Sequence, residues 1–337
     1  NLLTPYLLHR MIGSEEVYRA TMSYLDWRVY GFFFSFIAVM FRAFYVSTTN
    51  TKILTANSVV MVLTNVVLNY ILIFGKFGFP ALGIAGAAIA SSISEAVSVL
   101  FFVIYTWKKI DYKKYGLFRF TRVDFRMLGQ ILSVSIWVMI QHGIAFGGWF
   151  IFFIAMEHLG ERPLAITNVV RSISSFLFMF VNAFASTNSS LVSNLIGAGE
   201  SDRVLPLCRR MIGLCYAFVL PIGILIAMFP STVLRIYTDN PDLIASSISS
   251  LWVMLSSYLF AVPGFIYFFS VSGTGNTRRA LEIDMASIFV YVLYILYVAV
   301  WLRADVAVCW TTEYVYNIMI LSSFFYLWKG NWRNKKI

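Results

Sequence analysis

The sequence predicts an all-α, polytopic membrane protein of about nine spanning helices. Three observations carry that reading. Of its 337 residues, 59% are hydrophobic and only 12% are charged, whereas a soluble domain needs roughly a quarter charged residues to cover its surface. The apolar residues fall in blocks of about 20, the length that crosses a hydrocarbon core as a helix. The blocks do not alternate apolar and polar positions as barrel strands would. A helix satisfies its own backbone hydrogen bonds in lipid, so each block is expected to be one.

In chain order, spans are expected at about 29–46, 53–74, 84–106, 129–156, 164–192, 211–230, 249–272, 281–302 and 306–328. The fourth and fifth are long enough to tilt or to extend past the bilayer. Pro221 and Pro263 fall mid-span, where each frees a carbonyl four residues back and permits a kink. Gly143 and Gly147 have the spacing that favours close helix approach. Cys208, Cys215 and Cys309 make no Cys-x-x-Cys pair or metal spacing. Cys208 and Cys215, seven apart, read as packing residues on one helix face. His9, His142 and His158 are scattered, and no metal or other cofactor is expected. The aromatic residues suit interfacial belts.

Charge orients the spans. Connections alternate sides, and one set (47–52, 107–128, 193–210, 273–280 and 329–337) holds 17 of the 26 Lys and Arg. By the positive-inside rule that set is cytoplasmic, with the C-terminus inside and the protein in the cell (inner) membrane. The net charge of +10 therefore reflects topology and contact with anionic membrane lipid, not nucleic-acid binding. Asn1 is not a Met, and Asn1–Leu8 reads as the tail of a helix that began earlier. An N-terminally incomplete chain is expected.

An internal repeat supports that expectation. At a shift of 226 residues, Ser14-Glu15-Glu16-Val17 falls on Asn240-Pro241-Asp242-Leu243, and Thr48-Thr49-Asn50-Thr51-Lys52 on Thr274-Gly275-Asn276-Thr277-Arg278. By this register about 97 residues precede Asn1 in a parent of two parallel six-span halves. Residues 1–106 are then the remainder of the N-terminal half, 107–128 a basic cytoplasmic linker, and 129–337 the complete C-terminal half. Two halves rocking about a central site is the scheme of many secondary transporters.

Four stretches in this order resemble the multidrug and toxic compound extrusion (MATE) family: Gly273–Arg278 with its counterpart at Thr48–Lys52, Asn65–Asn69 followed by Leu72–Gly75, Leu82–Ser91, and Ser190–Gly199. The resemblance covers essentially the whole chain. It implies a twelve-helix transporter, not an enzyme, exporting organic cations or other amphipathic small molecules by alternating access. Inward flow of protons or sodium ions would drive it. A monomer is expected.

Seven residues are candidates for cation or substrate binding. Asn65 and Asn69 are one helical turn apart, so both amides point the same way. Facing lipid would be costly, so they face inward, either to bind a cation through carbonyl oxygens or to bond a neighbouring helix. The resemblance implies that these positions line a cavity, often with an Asp where Asn69 stands, and that Ser91 is a hydroxyl of the same cavity. Glu95 is an intramembrane carboxylate, either a coupling site or a partner of Arg28 or Arg42. Arg171 and Glu313 are in-span charges nearer the bundle ends. Gln141 and His142 stand in the fourth span where the family often has a carboxylate; its lack weakens an ion site in the C-terminal half. His142 can titrate near neutral pH, or simply bond a backbone carbonyl. Tyr258 is a polar aromatic of the seventh span. The rival reading is a flippase for lipid or lipid-linked oligosaccharide, which calls for more cavity cations than Arg42 and Arg171 supply. A membrane-embedded transferase would need clustered acidic metal ligands, such as Asp-Asp-x-x-Asp, that the sequence lacks.

Overall fold

A computed structural model describes residues 15–111, 114–116, 124–330 and 332. The expected helix tail at Asn1–Leu8, part of the basic linker 107–128 and residues 333–337 lie outside them. Everything described as regular structure is helical, and the chain divides into two compact units, Asn1–Arg122 and Val123–Ile337.

In the first unit, α1 (Glu15–Ser47), α2 (Lys52–Phe74) and α3 (Gly83–Lys109) are single long helices. The first was expected to begin at 29 and is helical from Glu15. Charged residues before Trp27 suggest a connection, but none breaks a helix, and Arg19 pairs with Glu15 at 3.1 Å over one turn. α3 packs against both neighbours. Its buried positions are mostly small, including Gly86, Ala88, Ala90, Ser92, Ser94 and Ser98, and small side chains let helices approach closely in lipid. At Gly86 a Cβ would lie 2.6 Å from the Leu72 carbonyl oxygen. One end of the unit is closed by Tyr45, Ile53 and Phe102. There Tyr45 shares a 2.6 Å hydrogen bond with Thr106.

The second unit holds α4 (Phe125–Leu159), α5 (Glu161–Gly197), α6 (Val204–Met228), the short α7 (Pro230–Leu234), α8 (Pro241–Gly273) and α9 (Thr277–Ile295). α9 continues as a π-helical turn through Trp301. Polar caps mark two starts: Asp124 accepts from Arg126 and Met127 at α4, and Asn240 accepts from Asp242 and Leu243 at α8, ahead of Pro241. These satisfy helix-end N–H groups. α8 is the central element, packed by α5, α6 and α9, with Leu251, Met254, Val262 and Ile266 fully buried. Cys208, Cys215 and Cys309 are buried free thiols.

Among the described residues, eight helices are long and apolar enough to cross a membrane. The ninth expected span is not one helix: 306–328 folds as α10 (Val306–Trp310), α11 (Thr312–Ile320) and α12 (Ser323–Lys329). At the first break, the Thr311 and Thr312 hydroxyls donate to the carbonyls of Val308 and Cys309. Such local bonding competes with the helical ladder. Large apolar side chains cover the outside as well, with Phe33 67% and Phe150 67% exposed. That inverts a soluble protein's surface and fits one facing lipid.

The helix ends carry the repeat. Ser47 and Gly273, which end α1 and α8, are 226 positions apart, the shift that aligns the connections following them.

Candidate functional site

Polar groups buried among apolar helices occur in both units. In the first unit, α2 presents Asn57, Asn65 and Asn69 to α3. Asn57 donates to Ser98 Oγ at 2.8 Å. Asn65 Nδ2 reaches Ser91 Oγ at 3.3 Å and Ser94 Oγ at 3.4 Å. Asn69 Nδ2 donates to Asn65 Oδ1 at 2.9 Å. The structure thus brings Asn65, Asn69 and Ser91 together in one seam: Asn65 bonds Ser91 across to α3, and Asn69 bonds Asn65 within α2. The carbonyl oxygens of Asn57 and Asn69 are buried without a protein donor. They are the acceptors left to meet a ligand's positive charge or water.

Glu95 lies in the other seam of α3, toward α1. Arg28 Nη2 meets Glu95 Oε1 at 2.7 Å, with the two side chains 21% and 14% exposed. Of the two expected partners the structure selects Arg28; Arg42 instead reaches the Met61 sulfur. Gly31 makes room for the pair, because a Cβ there would lie 2.5 Å from Arg28 and 2.8 Å from Glu95. The second nitrogen Nη1 of Arg28 and the second oxygen Oε2 of Glu95 remain buried and unpartnered.

In the second unit the focus is a residue that the sequence reading passed over. Asp284 of α9 is 2% exposed, and Oδ1 accepts from the Tyr316 phenol of α11 at 2.9 Å. Gln141 and His142 of α4 are near enough to act on the same carboxylate, although His142 is itself exposed. The sequence reading finds no carboxylate in the fourth or seventh span and weakens an ion site in this half on that ground; the eighth span supplies one in Asp284. Two turns along α9, the Tyr291 phenol is buried without a partner, and its ring meets that of Tyr316 edge-on at 5.9 Å. Glu313, one turn before Tyr316, lies within electrostatic reach of Tyr258, Tyr291 and Tyr316. Tyr258 itself donates to the Ser174 carbonyl at 2.7 Å, which ties α8 to α5. Arg171 stacks over Phe153 at 4.9 Å. Among the described residues, no group of three or more His, Cys, Asp or Glu is placed to hold a metal ion.

Long apolar helices enclosing amides and carboxylates define a polytopic membrane protein with polar groups held inside its helical bundles. The MatE family model matches residues 2–71 and 138–298, and the chain belongs to that family. It is 28% identical over 239 residues to a probable multidrug resistance protein NorM of Thermotoga maritima, covering 70% of this chain and 50% of that one. It is 26% identical over 262 residues to the probable multidrug resistance protein YoeA of Bacillus subtilis, covering 77% and 56%. The chain thus spans about half the length of the curated relatives it matches. Among solved structures, a MATE protein in complex with MaL6 superposes with a TM-score of 0.85 at 17% identity, over 97% of this chain and 73% of that one. A MOP superfamily transporter from Pyrococcus furiosus, described as having a binding pocket of reversed polarity, gives 0.85 at 16%, over 97% and 73%. At such identities these likenesses show the fold.

Proposed function

We propose that this chain forms most of a secondary active exporter that moves organic cations or other amphipathic small molecules outward in exchange for protons or sodium ions, by alternating access. Asp284 carries the reading. A carboxylate buried in a membrane helix must be balanced by a donor, a cation or a proton; Tyr316 provides one neutral donor and Gln141 stands within reach as a second. The remaining balance is what a coupling ion supplies. Asn65, Asn69 and Ser91 make a second, uncharged set of cation ligands in the other unit, and the multidrug resistance names of the relatives point to the same substrate class.

In the proposed arrangement residues 1–106 belong to one half, 107–128 link the halves and 129–337 make the other, as a monomer in the inner membrane with a cytoplasmic C-terminus. The flippase alternative is weaker. Its two candidate cations are Arg42, which reaches the Met61 sulfur, and Arg171, which stacks over Phe153, and two are fewer than a pyrophosphate site calls for.

Efflux of a fluorescent organic cation from vesicles carrying the full-length protein, under an imposed proton or sodium gradient, tests the reading. Gradient-dependent export that Asp284→Asn abolishes is the expected result. Export that ignores both gradients would overturn it.

A further inference from the structure

The second unit carries a cleft of about 580 Å³ between α9 and the segments α11 and α12. Its lining changes character along its length. Taking the start of α9 as its mouth, Arg279, Glu282 and Lys329 stand there, whereas Ile283, Ala286 and Met319, with the Ser287 hydroxyl, line the deep end. The two walls run antiparallel, since Asn276 donates to the Tyr326 phenol at 2.7 Å at the mouth, while Asp284 meets Tyr316 farther in. From Asn276 to Ala286, and from Lys329 back to Met319, is about 15 Å of helix on either wall. That is roughly half of a 30 Å hydrocarbon core, the depth of one leaflet.

Charge at the mouth is unbalanced. Arg279 and Lys329 are the cations of the lining, and Glu282, which also lines it, pairs with Arg279 at 2.5 Å and is reached at 3.3 Å by Arg278 from outside the lining. One positive charge is therefore in surplus there. We propose that the cleft binds one phospholipid with an anionic headgroup: its phosphate held by Arg279 and Lys329, its acyl chain along Ile283 and Met319. A soluble anion would use the mouth and leave the apolar depth empty, and a zwitterionic lipid would gain less from the surplus charge. A polar end one leaflet's depth from an apolar end matches a lipid alone among these. The inference does not depend on what the protein transports.

The test is a titration of the delipidated chain in detergent, following its Tm. The probes are dioleoylphosphatidylglycerol, dioleoylphosphatidylcholine and glycerol phosphate. Phosphatidylglycerol is expected to raise Tm saturably, with a midpoint about tenfold below that of phosphatidylcholine, and glycerol phosphate to do nothing. Removing both mouth cations (R279A/K329A) should weaken phosphatidylglycerol roughly thirtyfold, because each basic residue near an anionic headgroup contributes about a fivefold factor. Ala286→Trp fills the deep end without touching charge and should weaken it as well, which keeps the test decisive if the double variant does not fold. Equal midpoints for the two lipids, an equal shift with glycerol phosphate, or undiminished binding in either folded variant would overturn the proposal.

Discussion

Asp284 Oδ1 lies 2.9 Å from the phenol of Tyr316, a carboxylate and its neutral donor facing each other across α9 and α11. The contact leaves the charge of Asp284 uncompensated while supplying one hydrogen bond, an arrangement suited to a group that exchanges a proton or a cation. Asp284→Asn keeps the size and removes the charge. It should abolish gradient-driven export, at least about a hundredfold, while the protein still inserts. Tyr316→Phe keeps the charge and loses one hydrogen bond, and should reduce export less. Export assays on everted vesicles, with membrane abundance measured in parallel, separate the two. Full export by Asp284→Asn would return the coupling role to the asparagine seam of α2.

Arg28 and Glu95 predict the opposite signature, one of stability. Removing one partner leaves the other charged in a largely apolar seam, which costs about 1–3 kcal/mol, below the full value for a wholly buried pair because both ends keep some exposure. Glu95→Gln should therefore lower Tm, and adding Arg28→Gln should recover part of the loss. Thermal unfolding of the purified variants measures both. A double variant no more stable than the single would show that the charges do not act as a pair.

The asparagine ladder between α2 and α3 offers a graded series. Asn57→Ala removes a buried bond to Ser98 and should cost about 1–2 kcal/mol, the upper range for interhelical hydrogen bonds in membranes. Asn65→Ala removes longer bonds to Ser91 and Ser94, and with them the oxygen that accepts from Asn69. It should cost less in stability yet more in export if this seam meets the transported cation. Tm and export measured on the same preparations test the ordering, and equal ratios for both variants would mark the ladder as packing alone.

How much of this was legible follows from where the signals lie. Asn65 and Asn69 stood out because two amides one turn apart in an apolar block must face inward, to a ligand or to a neighbouring helix. Asp284 did not, because Arg278, Arg279 and Glu282 just before it made the start of that span look like its watery end. Only the contact with Tyr316, 32 positions away, shows that it faces inward. The breaks in 306–328 were equally hidden: the stretch contains no Gly or Pro, and the hydroxyls of Thr311 and Thr312 bend it instead. Glu15–Trp27 was read as a connection on its charge, although a helix that projects past the bilayer needs no apolar surface to continue.

Gly86 predicts how tightly the first unit tolerates change. A Cβ at that position would meet the Leu72 carbonyl oxygen at 2.6 Å and its carbon at 2.7 Å, and both are backbone atoms that no rotamer change can move. Gly86→Ala must push α2 and α3 apart, with a cost of about 1–3 kcal/mol typical of overpacking. The displacement falls in the same seam as Asn65, whose bonds to Ser91 at 3.3 Å and to Ser94 at 3.4 Å have little slack before they are lost. Gly129, by contrast, has nothing within 4 Å of its Cβ position, and Gly129→Ala should be neutral or slightly stabilising through the better helix propensity of alanine. Comparing Tm for the two variants checks the contrast. A Gly86→Ala protein as stable as Gly129→Ala would show that the seam is more open than the 2.6 Å approach implies.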